Sequence, residues 1–173
     1  MDIKKPFNIN FLTIKTEGFF LKRKEINKKL KKFPEKKYAN FSSNRTTCTM
    51  EKDFVKIFED EFLKISKYFQ SQMNLEKCWS ATYLKGDYHV PHNHGSTGYC
   101  GILYLDMHKK SPSTVYMQPW NDDFDNTLLY EPSVEEGDIV IVPKFVVHFT
   151  RPNPVSFKKR IISFDFNFFS KKS

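Results

Sequence analysis

The sequence predicts a mainly β protein with N-terminal helices, in which an antiparallel barrel or double-sheet jelly roll is packed by one long helix. Two observations carry this prediction: a long amphipathic segment in the first half, and six short β-rich segments after residue 75, separated by Pro and Gly. The 173 residues fit one hydrophobic core. We therefore treat 1–173 as a single domain, with 1–74 supplying N-terminal strands and helices and 75–170 forming the jelly-roll core.

The N-terminal segment combines an apolar stretch with a basic one. Residues 7–20 are rich in Phe, Ile and Leu up to Gly18, which suggests one or two strands. Residues 21–37 read LKRKEINKKLKKFPEKK and account for much of the net charge of +8. This basic segment is either a solvated helix face or mobile arm, or an electrostatic contact for nucleic acid or another acidic partner. Residues 38–50 are rich in Asn, Ser and Thr and predict a loop.

A long helix is predicted at about residues 51–72. Its apolar residues recur at spacings of three and four, which places them on one helical face: Phe54, Ile57, Phe58, Phe62, Ile65 and Phe69. We expect this face to pack against a sheet as core.

Six β-rich segments follow the helix. They span 78–83, 98–105, 113–117, 138–142, 146–149 and 160–169. Such short strands at regular spacing are typical of an antiparallel barrel or a two-sheet jelly roll.

The cellular compartment is inferred from what the chain lacks. No apolar run reaches the length of a membrane span, and the first residues do not resemble a secretory signal. Cys48, Cys78 and Cys100 are odd in number and form no CxxC pair, so reduced thiols are expected. We therefore expect a cytoplasmic protein without a membrane partner.

The histidines are the strongest candidates for a functional site. His92 and His94 are two residues apart, so on a strand both imidazoles would point to the same face. His148 lies in an apolar segment, where burial of a histidine requires a polar partner or a metal. From spacing alone, a metal site and hydrogen-bonded core histidines remain equally open. His89 and His108 are expected at the surface or the rim.

Three stretches carry a resemblance to a known family. Residues 83–94, YLKGDYHVPHNH, resemble the YxxGxxYxxHxD stretch of prolyl-4-hydroxylase-like 2-oxoglutarate- and Fe(II)-dependent oxygenases. Residues 98–106, GYCGILYLD, are similar to the strand that supplies a cosubstrate-binding tyrosine in that superfamily. GDIVIVP at 137–143, followed by His148 and Arg160, resembles its closing pattern of a distal His and a basic residue. The overall likeness is greatest to small phage and marine bacterial proteins of this superfamily, and it fits a virus-encoded protein acting in the host cell.

The resemblance implies a double-stranded β-helix (cupin-like) fold and an Fe(II)- and 2-oxoglutarate-dependent dioxygenase that uses O₂. It assigns the iron ligands to His92, His94 and His148, with His94 standing where the family has an Asp. The missing carboxylate would leave the site one unit more positive.

The resemblance also assigns the residues that bind 2-oxoglutarate. Tyr83 and Tyr104 would hydrogen-bond it, and Arg160 would hold its distal carboxylate through two parallel hydrogen bonds. The residues alone leave open that Arg160 forms a surface ion pair and that both tyrosines are ordinary wall residues. Ser163 is a weaker candidate, because it follows Arg160 by three residues and the two would face opposite sides of a regular strand.

Two other functions remain open from the sequence. One is a cupin-like three-histidine iron or zinc enzyme that does not use 2-oxoglutarate. The other is a non-catalytic jelly-roll binding module that docks on nucleic acid through the basic segment. The sequence does not identify the substrate, although the 119–134 loop is expected at the rim. Its Asp122, Asp123 and Asp125 form either an ordinary solvated acidic turn, which is the favoured interpretation, or a group that attracts a cationic substrate.

Overall fold

Two antiparallel sheets and three helices form the part of the chain that the computed structural model describes, which is residues 9–37, 44–46, 50–122 and 124–169. Phe7, Cys48, Asp123 and most of the expected 38–50 loop lie outside these residues. The elements run in the order β1 (Leu12–Lys15), α1 (Phe19–Leu30), β2 (Glu35–Lys37), β3 (Asn44–Thr46), α2 (Glu51–Ile57), α3 (Glu59–Tyr68), β4 (Met73–Tyr83), β5 (His89–His92), β6 (Tyr99–Asp106), β7 (Thr114–Met117), β8 (Leu129–Tyr130), β9 (Asp138–Pro143), β10 (His148–Thr150) and β11 (Lys159–Phe168).

The larger sheet has seven strands in the order β1-β9-β6-β11-β4-β3-β2. The smaller sheet has four, in the order β5-β10-β7-β8. Every neighbouring pair is antiparallel. The mainly β character and the six expected β segments are therefore confirmed, and four further strands, β2, β3, β5 and β8, were not expected. Strand β3 lies inside the segment that the sequence suggested was a loop.

The core lies on both faces of the larger sheet. On the outer face, the helices pack against it through aromatic rings, and the Phe54 ring lies 5.2 Å from that of Phe164. On the inner face, apolar side chains of both sheets form a second cluster, to which Tyr83 and Tyr104 of the larger sheet and Tyr116 of the smaller one belong. Residues that alternate along β11 therefore face either the helices or the space between the sheets.

The prediction of one continuous helix over 51–72 is wrong, because the structure has two helices there. The segment is divided at Phe58, whose φ of −110° and ψ of 29° are not helical. Phe58 is fully buried, and its ring lies 4.8 Å from that of Phe54. The turn at this residue lets α2 and α3 both contact β4 with their apolar faces, which one straight helix on a twisted sheet would not do.

The basic segment 21–37 forms most of α1, the turn after it and β2. One side of α1 is anchored by ion pairs, from Lys22 to Glu61 and from Arg23 to Asp106 and Glu136. In the described residues, no helix combines the length and the apolar character that crossing a bilayer would require.

Candidate metal centre

Three histidines meet between the two sheets. His92 ends β5 and is the register partner of His148 at the start of β10. His94 follows β5, where its backbone N–H donates to the carbonyl of Lys144 at 3.0 Å. One ring nitrogen of each histidine lies within 4.8 Å of the others. The structure thus brings together the three residues that the sequence selected, although His94 lies beyond the strand and not on it.

The second nitrogen of each ring is oriented by an acceptor. Nδ1 of His92 lies 2.9 Å from the Val90 carbonyl, and Nδ1 of His148 lies 3.0 Å from the Val146 carbonyl. Because a carbonyl only accepts, both rings carry their proton on Nδ1 and expose the lone pair of Nε2. Histidines that bind metals in proteins are usually oriented in this way by a second partner.

His94 has a different partner. Its Nδ1 lies 2.5 Å from Oδ1 of Asp165, and both side chains are nearly buried. A carboxylate at this position also leaves Nε2 of His94 directed towards the other two histidines.

His148 is held in its neutral form. Burial, together with the neighbouring His92 and His94, lowers its pKa to about 3, although the hydrogen bond to the Val146 carbonyl acts in the opposite direction. Since a metal binds the neutral imidazole, this histidine needs no deprotonation before ligation near neutral pH.

A pocket extends from the histidines into the space between the sheets. Both sheets contribute to its wall, which consists of Trp79, Ala81, Tyr83, His89, His92, His94, Ile102, Thr114, His148, Thr150, Ile161 and Ser163. Trp79 lies beside His94, with ring centroids 5.4 Å apart. Four histidines, two threonines and a serine share this wall with aromatic and aliphatic side chains, so the pocket is rich in groups that can bind a metal or a polar ligand.

His89 was expected at the surface or the rim, and this expectation is wrong. The residue is 6% exposed and its ring stacks on His92 with centroids 4.0 Å apart. The strand β5, which begins at His89, directs both rings inwards. His108 is partly exposed beside Phe157, in agreement with a rim position.

Arg160 requires a correction, because its side chain points away from the pocket. Its Nε donates to Asp106, and its terminal nitrogen donates to Oδ1 of Asn27 on α1 at 2.7 Å. The reason is the alternation of β11, which sends Ile161 and Ser163 into the pocket wall and Arg160 to the helical face. Arg160 therefore fastens α1 to the sheet, whereas Ser163 lies on the pocket side.

Lys159 is the basic residue on the pocket side. It is fully buried, and its Nζ donates to the carbonyl of Pro112 at 2.7 Å. The ammonium lies 5.1 Å from the ring centroid of Tyr83 and 6.0 Å from that of Tyr104. In the described part of the chain no carboxylate forms a salt bridge with it, and burial lowers its pKa to about 7, with Glu131 acting in the opposite direction. Such a lysine is suited to receive an anion.

The two expected tyrosines lie near this lysine. Tyr83 is buried in the pocket wall, and Tyr104 is buried in the same inner cluster. The hydroxyl oxygen of Tyr104 accepts the backbone N–H of Thr114 at 3.1 Å, and burial raises the pKa of the phenol to about 12. Among the described residues, Oγ1 of Thr114 is buried without a hydrogen-bond partner. The pocket therefore offers hydroxyl groups close to a buried cation.

Lys159 and Asp165 were not predicted as site residues. The sequence contained a sign of both residues. Lys159, Ser163 and Asp165 are separated by even numbers of residues, so they point to the same face of the strand, whereas Arg160 points to the other face. The family pattern of a basic residue some way after the distal histidine fits either member of the Lys159-Arg160 pair, so only strand alternation separates them.

The 119–134 loop is partly apolar at its surface. A groove beside His148 is lined by residues of this loop, of β7 and of the segment before β1, including Phe11, Tyr116, Trp120 and Tyr130. The carboxylate of Asp122 accepts the backbone N–H groups of Phe124 and Asn126, which lowers its pKa. Asp122 thus closes a turn within the loop.

Comparison with solved structures shows which proteins share this fold. HygX from Streptomyces hygroscopicus, solved with nickel and 2-oxoglutarate bound, superposes with a TM-score of 0.69 at 13% identity, over 94% of this chain and 84% of that one. A 2OG-Fe(II) oxygenase family oxidoreductase from Burkholderia pseudomallei gives 0.69 at 9% identity, over 91% and 84%. A Pseudomonas putida prolyl-4-hydroxylase gives 0.61 at 14% identity, over 94% of both chains. No family model and no curated protein matches the sequence. At these identities the likeness establishes a common fold.

Proposed function

We propose that this chain is a non-haem Fe(II)- and 2-oxoglutarate-dependent oxygenase of the double-stranded β-helix class. The observation that carries the proposal is that three histidines converge in one pocket, and that a buried lysine without a carboxylate partner among the described residues lies against Tyr83 of the pocket wall. A metal site and a cationic group on the same side of the larger sheet suit the two ends of a chelating 2-oxo acid. Solved structures with the same fold include one with nickel and 2-oxoglutarate bound, which supports the assignment.

The iron would be held by Nε2 of His92, His94 and His148. All three rings have their Nδ1 beside an acceptor, so Nε2 of each ring is the atom left for a metal, and no ring has to rotate to present it. Three ligands on one side leave other coordination positions for the cosubstrate and O₂. When bound together, iron, 2-oxoglutarate and O₂ supply the oxidising power for attack on a C–H bond, and the protein supplies placement and a dry pocket.

The distal carboxylate of 2-oxoglutarate would be held by Lys159, in the role that the sequence suggested for Arg160. The ammonium is positioned by the Pro112 carbonyl and the two tyrosine rings. Tyr104 can still donate its O–H, and the free Oγ1 of Thr114 can donate as well. Tyr83, the register partner of Lys159, forms the wall at this end of the pocket, whereas Ser163 lines the pocket four residues further along β11, beside Trp79. Burial of the anion against these groups excludes water from the charge pair.

The reaction that we propose is hydroxylation or demethylation, with the substrate entering beside the histidines. The groove lined by Phe11, Trp120 and Tyr130 adjoins His148 through Tyr116 and offers an apolar surface next to the site. A substrate with a flat or apolar portion would fit such a wall.

The test is an anaerobic titration of the purified protein with Fe(II) and then with 2-oxoglutarate. We expect a visible absorbance band that requires both additions, and succinate formation once O₂ is admitted. His148→Ala should abolish both signals. Failure of the native protein to show either signal would overturn the proposal.

One observation favours a second candidate, a three-histidine metalloenzyme that does not use 2-oxoglutarate. His94 stands where the resembling enzymes have a carboxylate, and three-histidine sites also occur in cupin-like enzymes. Lys159→Met separates the two candidates, because it removes the anion site and leaves the histidines intact. Turnover of a substrate that is unchanged in Lys159→Met and independent of 2-oxoglutarate would support the second candidate.

A further inference from the structure

Asp165 is a buried carboxylate in contact with the histidine triad. It lies on β11 on the same side of the strand as Ser163 and is 6% exposed. The Oδ1 atom of Asp165 lies 2.5 Å from Nδ1 of His94, and the two side chains form a hydrogen bond. Burial of a carboxylate is costly unless a charged or hydrogen-bonded partner compensates for it. His94 is that partner.

A basic side chain near the site, that of Lys144, is engaged elsewhere. Lys144, whose carbonyl accepts the N–H of His94, has its own ammonium paired with Glu76. Glu76 in turn accepts from the side-chain amide of Asn167. The negative charge of Asp165 is therefore directed at the His94 ring and is not cancelled by Lys144.

The contact between Asp165 and His94 affects the net charge at the proposed metal. Iron(II) with three neutral imidazoles is one unit more positive than iron(II) with two imidazoles and a carboxylate. A carboxylate that accepts a hydrogen bond from a ligand imidazole gives that imidazole partial anionic character and makes it a stronger donor to the metal. Asp165 thereby restores, through His94, the charge that a directly bound carboxylate would have supplied.

The local structure holds Asp165 in this position. β11 is a central strand of the larger sheet, paired on both sides with β4 and β6. Its pairing with β4 shifts register immediately after Asp165, between Asp165 and Phe166. Bulges of this kind often adjust the direction of a functional side chain. Trp79, which is the register partner of Ser163, closes the other side of the His94 ring.

We propose that Asp165 is a positioning residue that replaces the missing carboxylate ligand from outside the coordination sphere, acting on the metal through His94. This inference rests on the proposed function, because it requires a metal at the three histidines. It assigns the negative charge of the site to β11, whereas the family pattern would place it two residues after His92.

The test measures metal binding without turnover. Co(II) is titrated into the metal-free protein, its visible absorption is recorded, and its dissociation constant is obtained by competition with a chelator. We expect Asp165→Asn to weaken binding about 10–100-fold and to change the Co(II) spectrum, because outer-shell partners of ligand histidines have effects of this size. Asn can still accept the Nδ1 hydrogen bond, so the loss reports on charge.

A second variant makes the proposal specific. In His94→Asp/Asp165→Asn, the carboxylate moves from the outer position to the metal itself, and we expect affinity to return to within a few-fold of the native value. Asp138→Asn is the matched control, since Asp138 is a buried carboxylate on β9 that accepts the N–H of Glu135 and contacts no histidine in the described residues. The control should bind Co(II) like the native protein.

Three outcomes would overturn the inference. Native affinity and spectrum in Asp165→Asn would show that the charge does not reach the metal. Equal losses in Asp165→Asn and Asp138→Asn, or failure of the double variant to recover, would show that Asp165 serves only the stability of the sheet. If the native protein itself bound no Co(II), the proposed function would fall as well, whereas in the first two cases it would stand.

Discussion

Lys159 and Arg160 are adjacent on β11, and their side chains leave opposite faces of the sheet. Lys159 lies against Tyr83 and Tyr104 between the sheets, and Arg160 binds Asp106 and Asn27 beneath α1. Of these two neighbouring residues, Lys159 can therefore bind an anion between the sheets, and Arg160 attaches α1 to the larger sheet. The two positions can be tested against each other.

The Lys159 and Arg160 variants should have opposite effects. Lys159→Met should lose 2-oxoglutarate binding and keep metal binding, because it removes the buried cation and preserves the volume of the side chain. Arg160→Met should keep 2-oxoglutarate binding and destabilise the fold by about 1–3 kcal/mol, because Asp106 loses one of its two cationic partners. Calorimetric titration and denaturant unfolding measure the two effects. Loss of 2-oxoglutarate binding in Arg160→Met alone would contradict the assignment.

The stability of the metal-free protein should depend on the charge of Lys159. Its folded-state pKa of about 7 lies below the ordinary lysine value of 10.5, so the unfolded chain binds more protons between pH 7 and pH 10.5. The contribution of this residue to stability is therefore full above pH 10.5 and is lost as the pH falls through about 7. We expect Lys159→Met to be more stable than the native protein at pH 7 and this advantage to shrink by pH 9, measured by denaturant unfolding. A pH-independent difference would contradict this prediction.

The affinity for 2-oxoglutarate should have the opposite pH dependence. Only the protonated ammonium attracts the distal carboxylate, so affinity should fall above pH 7, by at most about tenfold per pH unit. Calorimetric titration between pH 7 and 9 measures this slope. Lys159→Arg is the control, since a guanidinium stays charged and should remove the slope. The same slope in both proteins would place the titrating group elsewhere.

Gly101 on β6 should not tolerate a side chain. A Cβ at this position would lie inside the ring of Phe164, its register partner on β11. We expect Gly101→Ala to destabilise the fold by about 1–3 kcal/mol through overpacking. Adding Phe164→Leu should cost less in the Gly101→Ala background than in the native protein, and a double-mutant cycle of unfolding free energies measures this coupling. Strict additivity of the two changes would contradict the steric explanation.

The basic segment carries exposed lysines that lack a carboxylate partner in the described residues. They lie on α1, on the turn after it and on β2: Lys24, Lys28, Lys31, Lys32, Lys36 and Lys37. Lysines four residues apart repel each other on a helix, so this arrangement lowers helix stability slightly. We propose that these lysines are a contact for an acidic partner such as nucleic acid.

Replacing Lys24, Lys28 and Lys31 by Gln should weaken binding to a labelled single-stranded oligonucleotide, measured by anisotropy. The slope of log K against log salt should become shallower by about 2, since each phosphate contact contributes about 0.7. The matched control replaces Lys109, Lys110 and Lys158, which are exposed elsewhere. Equal effects of the two triple variants would indicate non-specific attraction by net charge.

Most of the fold could be predicted because its strands are strongly apolar and separated by Pro and Gly. The division of the long helix at Phe58 could not, because the apolar spacing of three and four continues through that residue. The small strands β2 and β8 were also missed, since they are short, exposed and paired only at sheet edges.

Site residues could be predicted where their spacing along one strand places them together. They could not be predicted where only the pairing of distant strands brings two residues into contact. His92, His94 and His148 were identified from spacing and flanking motifs, and the structure brings them together. Asp165 could not be linked to His94 from the sequence, because 71 residues separate them and only the sheet topology makes them neighbours.

The most direct test of the proposed site is a crystal structure of the native protein grown with Fe(II) and 2-oxoglutarate under anaerobic conditions. An anomalous difference map at the iron edge should show one peak about 2.1 Å from Nε2 of His92, His94 and His148. The distal carboxylate of the cosubstrate should lie on Nζ of Lys159. A peak away from these three nitrogens, or no peak at all, would contradict the proposed metal centre, and a carboxylate bound to Arg160 would contradict the anion site.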